Sequence, residues 1–288
     1  MTEVFVGSEA VAAAALTAHR LRSRNRPIFR GVYMPTWCDP TIDDYIVGAW
    51  LWSRKRAVVA GVAASALHGA QWVDAKTPVE LVAKSARPQH GLIVRNETLR
   101  ADEVTQVTRH SITLPVTTPA RTAFDLGRHL PRGEALARLD ALVRATPFSV
   151  EDVLLLAKRH RGARGMRRLN AVLPLIDGGA ASPKESWLRL LLLDAGLPKP
   201  TTQIPVHRGW QLMGLLDMGW EDYLVAVEYD GDQHRTDRRQ FVRDINRIEA
   251  MEDLGWVVIR VVAEHRPRHI VDRVAEALAR RGYRRNRR

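Results

Sequence analysis

The stretch LMGLLDMGWEDYLVAVEYDG, residues 212–231, decides how this chain is read. It divides into two apolar runs, Leu212 to Trp220 and Leu224 to Tyr229, joined by the triplet Glu221-Asp222-Tyr223. Runs this short, joined by so few residues, predict two strands in an antiparallel hairpin. Side chains alternate along a strand, so Leu224, Ala226, Glu228 and Asp230 share one face while Val225, Val227 and Tyr229 take the other. Glu228 and Asp230 therefore project side by side. Asp217 interrupts the first apolar run, where an ionised carboxylate is costly unless paired or bound to a cation.

Upstream, Ser182, Pro183 and Glu185 read as the cap, first position and first turn of a helix that continues through Trp187, Leu188, Leu190, Leu191 and Leu192. Alone, a first-turn glutamate is a helix-dipole partner. Together with the hairpin it makes a set of acids on one helix and two adjacent strands, the hard oxygen donors that Mg²⁺ or Mn²⁺ prefers. Asp217, Glu228 and Asp230 are the expected metal ligands. Such a centre polarises a phosphoryl oxygen and lowers the pKa of a bound water. Beyond the Gly231 turn, His234 is a candidate general base or acid at neutral pH. A helix over Phe241 to Leu254 brings Arg243, Asp244 and Arg247, and a final apolar strand, Val257 to Val262, carries Arg260. Arg243 is a candidate for binding phosphate, and Arg247 and Arg260 can each hold a phosphate or stabilise a pentavalent transition state, pair with the acids, or do both.

Five motifs in order, SPKES (182–186), LLDMGW (215–220), VEYDGDQH (227–234), RDINR (243–247) and GWVVIRV (255–261), resemble the PD-(D/E)xK nucleases, specifically their very-short-patch-repair (Vsr)-like endonuclease domains. The resemblance implies a mixed sheet flanked by helices, with Asp217 and Glu228 as metal ligands and Glu185 as a supporting acid. The chain departs from the pattern at Asp230, where the superfamily places a lysine that orients and helps deprotonate the water. His234 or a second metal must then substitute, or the site binds without cutting.

At the other end, Ser8-Glu9 and an alanine-rich run predict one short capped helix, and Thr17 caps a second that carries His19, Arg20, Arg22 and Arg24. Arg26-Pro27 breaks it, and Ile28, Phe29, Val32 and Tyr33 form a ribbon about Arg30-Gly31. That order suits a winged helix-turn-helix, with Arg20, Arg22 and Arg24 against phosphates; a solvated helix face is the alternative. The stretch LTAHRLRSRNRPIFRGVY (16–33) resembles the N-terminal winged-helix region of AbiEi-type antitoxins.

Between these ends, an apolar helix (Val58 to Leu67) alternates with strand-like pieces at Pro78 to Val82 and Gly91 to Val94. A helix then opens near Pro119, with Arg121 and Asp125 spaced as a structural i,i+4 pair. Further helices, Ala135 to Val143 and Val150 to Arg159, lead into a basic stretch, Lys158, Arg159, Arg161, Arg164, Arg167 and Arg168, able to meet a phosphate backbone or to remain a solvated face. The turn formers of Ile176 to Pro183 mark a boundary. The expected organisation is α/β: residues 1–55 winged helix-turn-helix-like, 56–178 a mixed α/β and helical connector, and 179–288 a mixed-sheet, restriction-endonuclease-like domain.

The 288 residues carry a net charge of +12, which favours a polyanionic partner. Residues 1–180 hold 25 Lys+Arg against 16 Asp+Glu, whereas 181–288 hold 19 against 16, so the excess lies mainly upstream of the acidic cluster. Cys38 is the one cysteine, so there is no intrachain disulfide or thiolate cluster, and the composition fits the reducing cytoplasm. The apolar stretch Ala57 to Val73 contains His68, Gln71 and two glycines and suits a buried helix rather than a membrane span. Taken together, the residues predict a cytoplasmic endonuclease that hydrolyses DNA with Mg²⁺ or Mn²⁺, with no membrane partner; a homodimer is compatible with the sequence. Its alternatives are a DNA-binding antitoxin-like regulator with an inactive nuclease fold and, further off, an RNA-cleaving toxin-like protein.

Overall fold

Two short helices, α1 (Gly7–Ala12) and α2 (Ala18–Arg24), begin the chain, and the Thr17 hydroxyl caps the second by accepting the Arg20 amide at 3.2 Å. Ser8 does not cap the first. Val6 holds that position without a side-chain bond, and the Gly7 amide donates instead to the Gly31 carbonyl at 2.9 Å. A ribbon follows: β2 (Asn25–Phe29) and β3 (Val32–Pro35) pair antiparallel around Arg30-Gly31, and β1 (Phe5–Val6) adds to the far edge of β3. Gly31, with φ +80°, supplies the left-handed residue this turn requires. Against it packs α3 (Ile42–Trp52), opened by a reciprocal Thr41–Asp44 capping box and burying Ile46, Val47 and Ala49 in one core with Phe29, Val32 and Met34.

The computed structural model describes residues 3–84, 87–231 and 247–284, which divide into two compact units, Met1–Ile176 and Asp177–Arg288. The first unit continues into a five-stranded mixed sheet of β4 (Val58–Ala60), β5 (Val79–Val82), β6 (Leu92–Arg95), β7 (Val104–Arg109) and β8 (Ile112–Thr117), in the order β6-β5-β4-β8-β7. The expected helix from Val58 is corrected here: Val58–Ala60 is a strand, and only Gly61–Leu67 is helical (α4). An apolar run of this length fits either form, and the β-branched Val58-Val59 pair fits the sheet, where Val59 is wholly buried. Gly61 makes the abrupt change at φ +57°, packed so closely on Glu80 that a Cβ would lie 2.6 Å from its Oε2.

Helices α5 (Pro119–His129), α6 (Arg132–Ala145), α7 (Val150–Arg159) and α8 (Met166–Val172) complete this unit. Buried within it is an ionic network. Arg121 pairs with Asp125 at 3.0 Å and also with Glu97 and Glu103; Arg128 pairs with Asp125 at 2.8 Å and with Glu97. Burial acts against the Arg121 charge, but the Asp125 and Glu103 carboxylates outweigh it and raise its pKa. A buried carboxylate is tolerable only when its partners remain, so this network ties α5 to the segment leaving β6.

In the second unit the sheet order is β12-β11-β10-β9, built from β9 (Thr201–Arg208), β10 (Gln211–Trp220), β11 (Val225–Tyr229) and β12 (Val257–Val261). The hairpin read from the sequence is present: β10 and β11 pair antiparallel, joined by a 3-10 turn at Glu221–Tyr223 and by Leu224 at φ +49°. β12 lies parallel to β11. One sheet face is covered by α9 (Pro183–Asp194) and α10 (Pro267–Arg280), where Leu188, Leu192, Ile270, Val274 and Leu278 meet Met218, Val225 and Val227. The helical segment 247–253 covers the other, placing Met251 with Ile204, Leu216 and Ala226. Among the described residues, no helix is long and apolar enough to cross a membrane.

Candidate carboxylate site and basic helix

Glu185 reaches the sheet from the first turn of α9, which Ser182 caps by accepting the Glu185 amide at 3.2 Å. Its Oε2 accepts the Ala181 amide at 2.8 Å and the Gln203 side-chain amide at 3.4 Å. Gln203 lies on β9 between the paired positions Thr202 and Ile204, opposite Asp217, which lies between Leu216 and Met218 on β10. Both strands are irregular there. Gln203 has φ +51°, uncommon for a side-chain-bearing residue, and Leu216 and Met218, two apart, pack into cores on opposite faces. β10 thus changes side at Asp217, whose Oδ2 accepts the Tyr229 amide at 2.9 Å across the hairpin.

Asp217 is pushed up to about 7, first by burial and next by the nearby charge of Glu185, with Glu228 adding to both; the Tyr229 amide and Arg247 pull the other way. Glu185, Asp217 and Glu228 are therefore one electrostatic cluster. Glu185 and Glu228 are each only 7% exposed. Glu228 is satisfied by Arg247, which donates from Nη1 to Oε1 at 2.8 Å and from Nη2 to Oε2 at 2.9 Å. Arg247 also donates to the Leu215 carbonyl at 2.9 Å and crosses β10 where Gly214 leaves room; a Cβ there would lie 2.9 Å from Arg247 Cδ.

Asp230 is turned to a different use, paired with Arg260 of β12. His234 and Arg243 lie outside the described residues. Among the described residues, no three carboxylate, imidazole or thiolate groups are disposed to hold one ion. The donor chemistry suits a hard cation, yet with Glu228 closed by Arg247 and Asp230 by Arg260 a metal would first have to displace a guanidinium. Sequence reasoning passed over Gln203, and it offered Arg247 as a partner of the acids without saying that Glu228 is the one it takes. It also passed over Lys184, whose Nζ stands 5.8 Å from the centroid of the Tyr229 ring, itself in a T-shaped pair with Trp187.

In the first unit, Arg20, Arg22 and Arg24 are all exposed on α2, which has no fully buried residue. Thr17 caps the start of the helix, Leu21 packs beside Gly7, and at the other end the Arg24 carbonyl accepts the Thr36 amide at 3.0 Å and its hydroxyl at 3.2 Å.

Residues 57–175, which span the five-stranded sheet and α4 to α8, match the family model of the AbiEi antitoxin C-terminal domain. The chain is 34% identical over 167 residues to two uncharacterized proteins of Mycobacterium tuberculosis, one from each of two strains; the match takes in 57% of this chain and 62% of each relative. No solved structure matches.

Proposed function

We propose that this chain is a DNA-binding regulator of the antitoxin type, engaging duplex phosphates through α2 and carrying in its second unit a nuclease-like carboxylate site held closed by arginines. The observation that carries this reading is the match of residues 57–175 to the AbiEi antitoxin C-terminal domain. It is supported by the order of α1, α2 and the β2–β3 ribbon, which suits a winged helix-turn-helix, by the exposed arginines of α2, and by the +12 charge. The test is fluorescence anisotropy of the full chain with labelled duplex DNA across a salt series. Replacing Arg20, Arg22 and Arg24 by alanine should lower the log–log salt slope by roughly 0.9 per lost phosphate contact. An unchanged slope removes α2 from the interface and the reading with it.

A second reading, a Mg²⁺- or Mn²⁺-dependent endonuclease, is favoured by the carboxylate crowding that holds Asp217 near 7. Asp217 and Glu228 would hold the ion, which supplies Lewis acidity at a phosphoryl oxygen. Glu185 would hold the Gln203 side chain opposite Asp217, and Arg247, on leaving Glu228, would turn to a phosphate. Plasmid nicking that requires the ion and is lost in both Asp217→Asn and Glu228→Gln would establish it. Duplex binding without nicking leaves the regulator.

A further inference from the structure

In the first unit a cavity of about 630 Å³ opens between the end of β6, the end of α5 and the loop entering α8. Its polar lining is Arg95, Arg128, His129, Arg164, Arg167 and Arg168, with no carboxylate among the lining residues. The neighbouring acids already pair with the inner cations of this lining, so the charge left for a ligand comes from Arg164, Arg167 and Arg168. Glu80 holds Arg95 at 2.9 Å, while Glu97 and Asp125 hold Arg128. Arg164, Arg167 and Arg168 are exposed, and none makes an ion pair with a carboxylate among the described residues. Three guanidiniums within five residues concentrate positive charge at the rim of the cavity.

The loop is also pinned rather than loosely solvated. Gly165 has φ +92°, and a Cβ there would collide with the Arg128 carbonyl oxygen, so the backbone lies directly on α5. That contact sets the side chains on either side of it around the cavity. Guanidinium forks match phosphate oxygens in pairs, and the volume falls within the range of small-ligand sites, about 300–1,000 Å³. A second cavity of about 530 Å³ shares Arg128 and Arg164 but is lined in part by Glu97, which disfavours an anion there.

We infer that the cavity bounded by Arg95, Arg128 and the Arg164–Arg168 loop binds a small polyphosphate anion. The ion-paired network beneath supplies the floor, and Arg164, Arg167 and Arg168 supply the charge that the phosphates neutralise. This site is separate from the carboxylate cluster and does not depend on either functional reading.

The test is calorimetric titration of the full chain with inorganic triphosphate and with ATP, at constant ionic strength. Saturable binding is expected, weakened at least about tenfold in the double variant R164A/R168A, whose side chains are exposed, with the unfolding temperature of the free protein unchanged. Arg167→Glu should have the same effect. No saturable binding, or equal binding by the variants, overturns the proposal. So does binding of a short DNA duplex through these arginines when neither triphosphate nor ATP binds, an outcome that assigns them to a phosphodiester backbone.

Discussion

Arg247 grips both oxygens of Glu228, one guanidinium nitrogen to each, at 2.8 and 2.9 Å. The acid most exposed to scrutiny as a metal ligand is thereby chelated by a cation of the protein's own. A bidentate pair in this setting stabilises only while both members are present, since either one alone is left charged and poorly hydrated.

Arg247→Ala should therefore destabilise the second unit by about 2–4 kcal/mol in chelator, because Glu228 loses its counter-charge. Urea unfolding with and without Mn²⁺ reads the consequence. If the carboxylates can accept the ion, Mn²⁺ restores much of the loss in the variant and does little for the wild type. Equal response of the two proteins would show that Arg247 does not compete with a cation.

Asp217 gives a pH signature. Its folded pKa of about 7 stands above the ordinary value of 3.8, so between these limits the unfolded chain ionises while the folded chain keeps the proton. Stability from this group is therefore greatest below about pH 4, declines as pH rises towards 7, and is level above it. At roughly 1.4 kcal/mol per pH unit the loss is on the order of a few kcal/mol. Asp217→Asn should abolish the decline and unfold later than wild type at pH 8, as monitored by thermal melts in chelator. Parallel profiles for the two proteins would contradict this account of the cluster.

The network beneath α5 predicts a different profile. Arg121 holds Glu97, Glu103 and Asp125 while only 1% exposed, so Arg121→Ala takes a counter-charge from two almost wholly buried carboxylates and leaves Asp125 to Arg128 and Glu103 to His160. A loss of about 3–5 kcal/mol is expected. Arg121→Lys should recover only part, because an ammonium cannot reproduce the fork that meets three acids at once. Chemical denaturation of all three proteins checks both statements.

Much of the second unit was legible because its residues announce their periodicity. The run after Glu221-Asp222-Tyr223 places Glu228 and Asp230 on one face by strand alternation, and Ser182-Pro183 marks the start of α9. β9 was missed because Thr201–Arg208 is half exposed, contains Pro205 and carries a left-handed residue at Gln203, which together mask the alternation. Val58 was read as helix because an uninterrupted apolar run has no period to betray it. The partners of Arg121 show the deeper limit. Asp125, four residues on, could be foreseen, whereas Glu103 and Glu97 arrive 18 and 24 residues from the other direction, brought there only by the sheet. Charge bookkeeping along a sequence likewise cannot say which arginine a given acid will take, and so Arg247 read equally well as a phosphate clamp and as the counter-ion it is.

The link between β10 and β11 has a bearing on how such a chain can diverge. Only Glu221–Tyr223 and Leu224 separate the strand of Asp217 from that of Glu228, and Leu224 already occupies the left-handed region. Lengthening this link by one residue while β11 keeps its ladder with β12 leaves Glu228 where it is; slipping β11 by one residue instead exchanges Glu228 for Tyr229 on the charged face. Insertions here thus fall into two sharply different classes, harmless loop growth or the wholesale replacement of an acidic centre by an aromatic one, with no graded series between them.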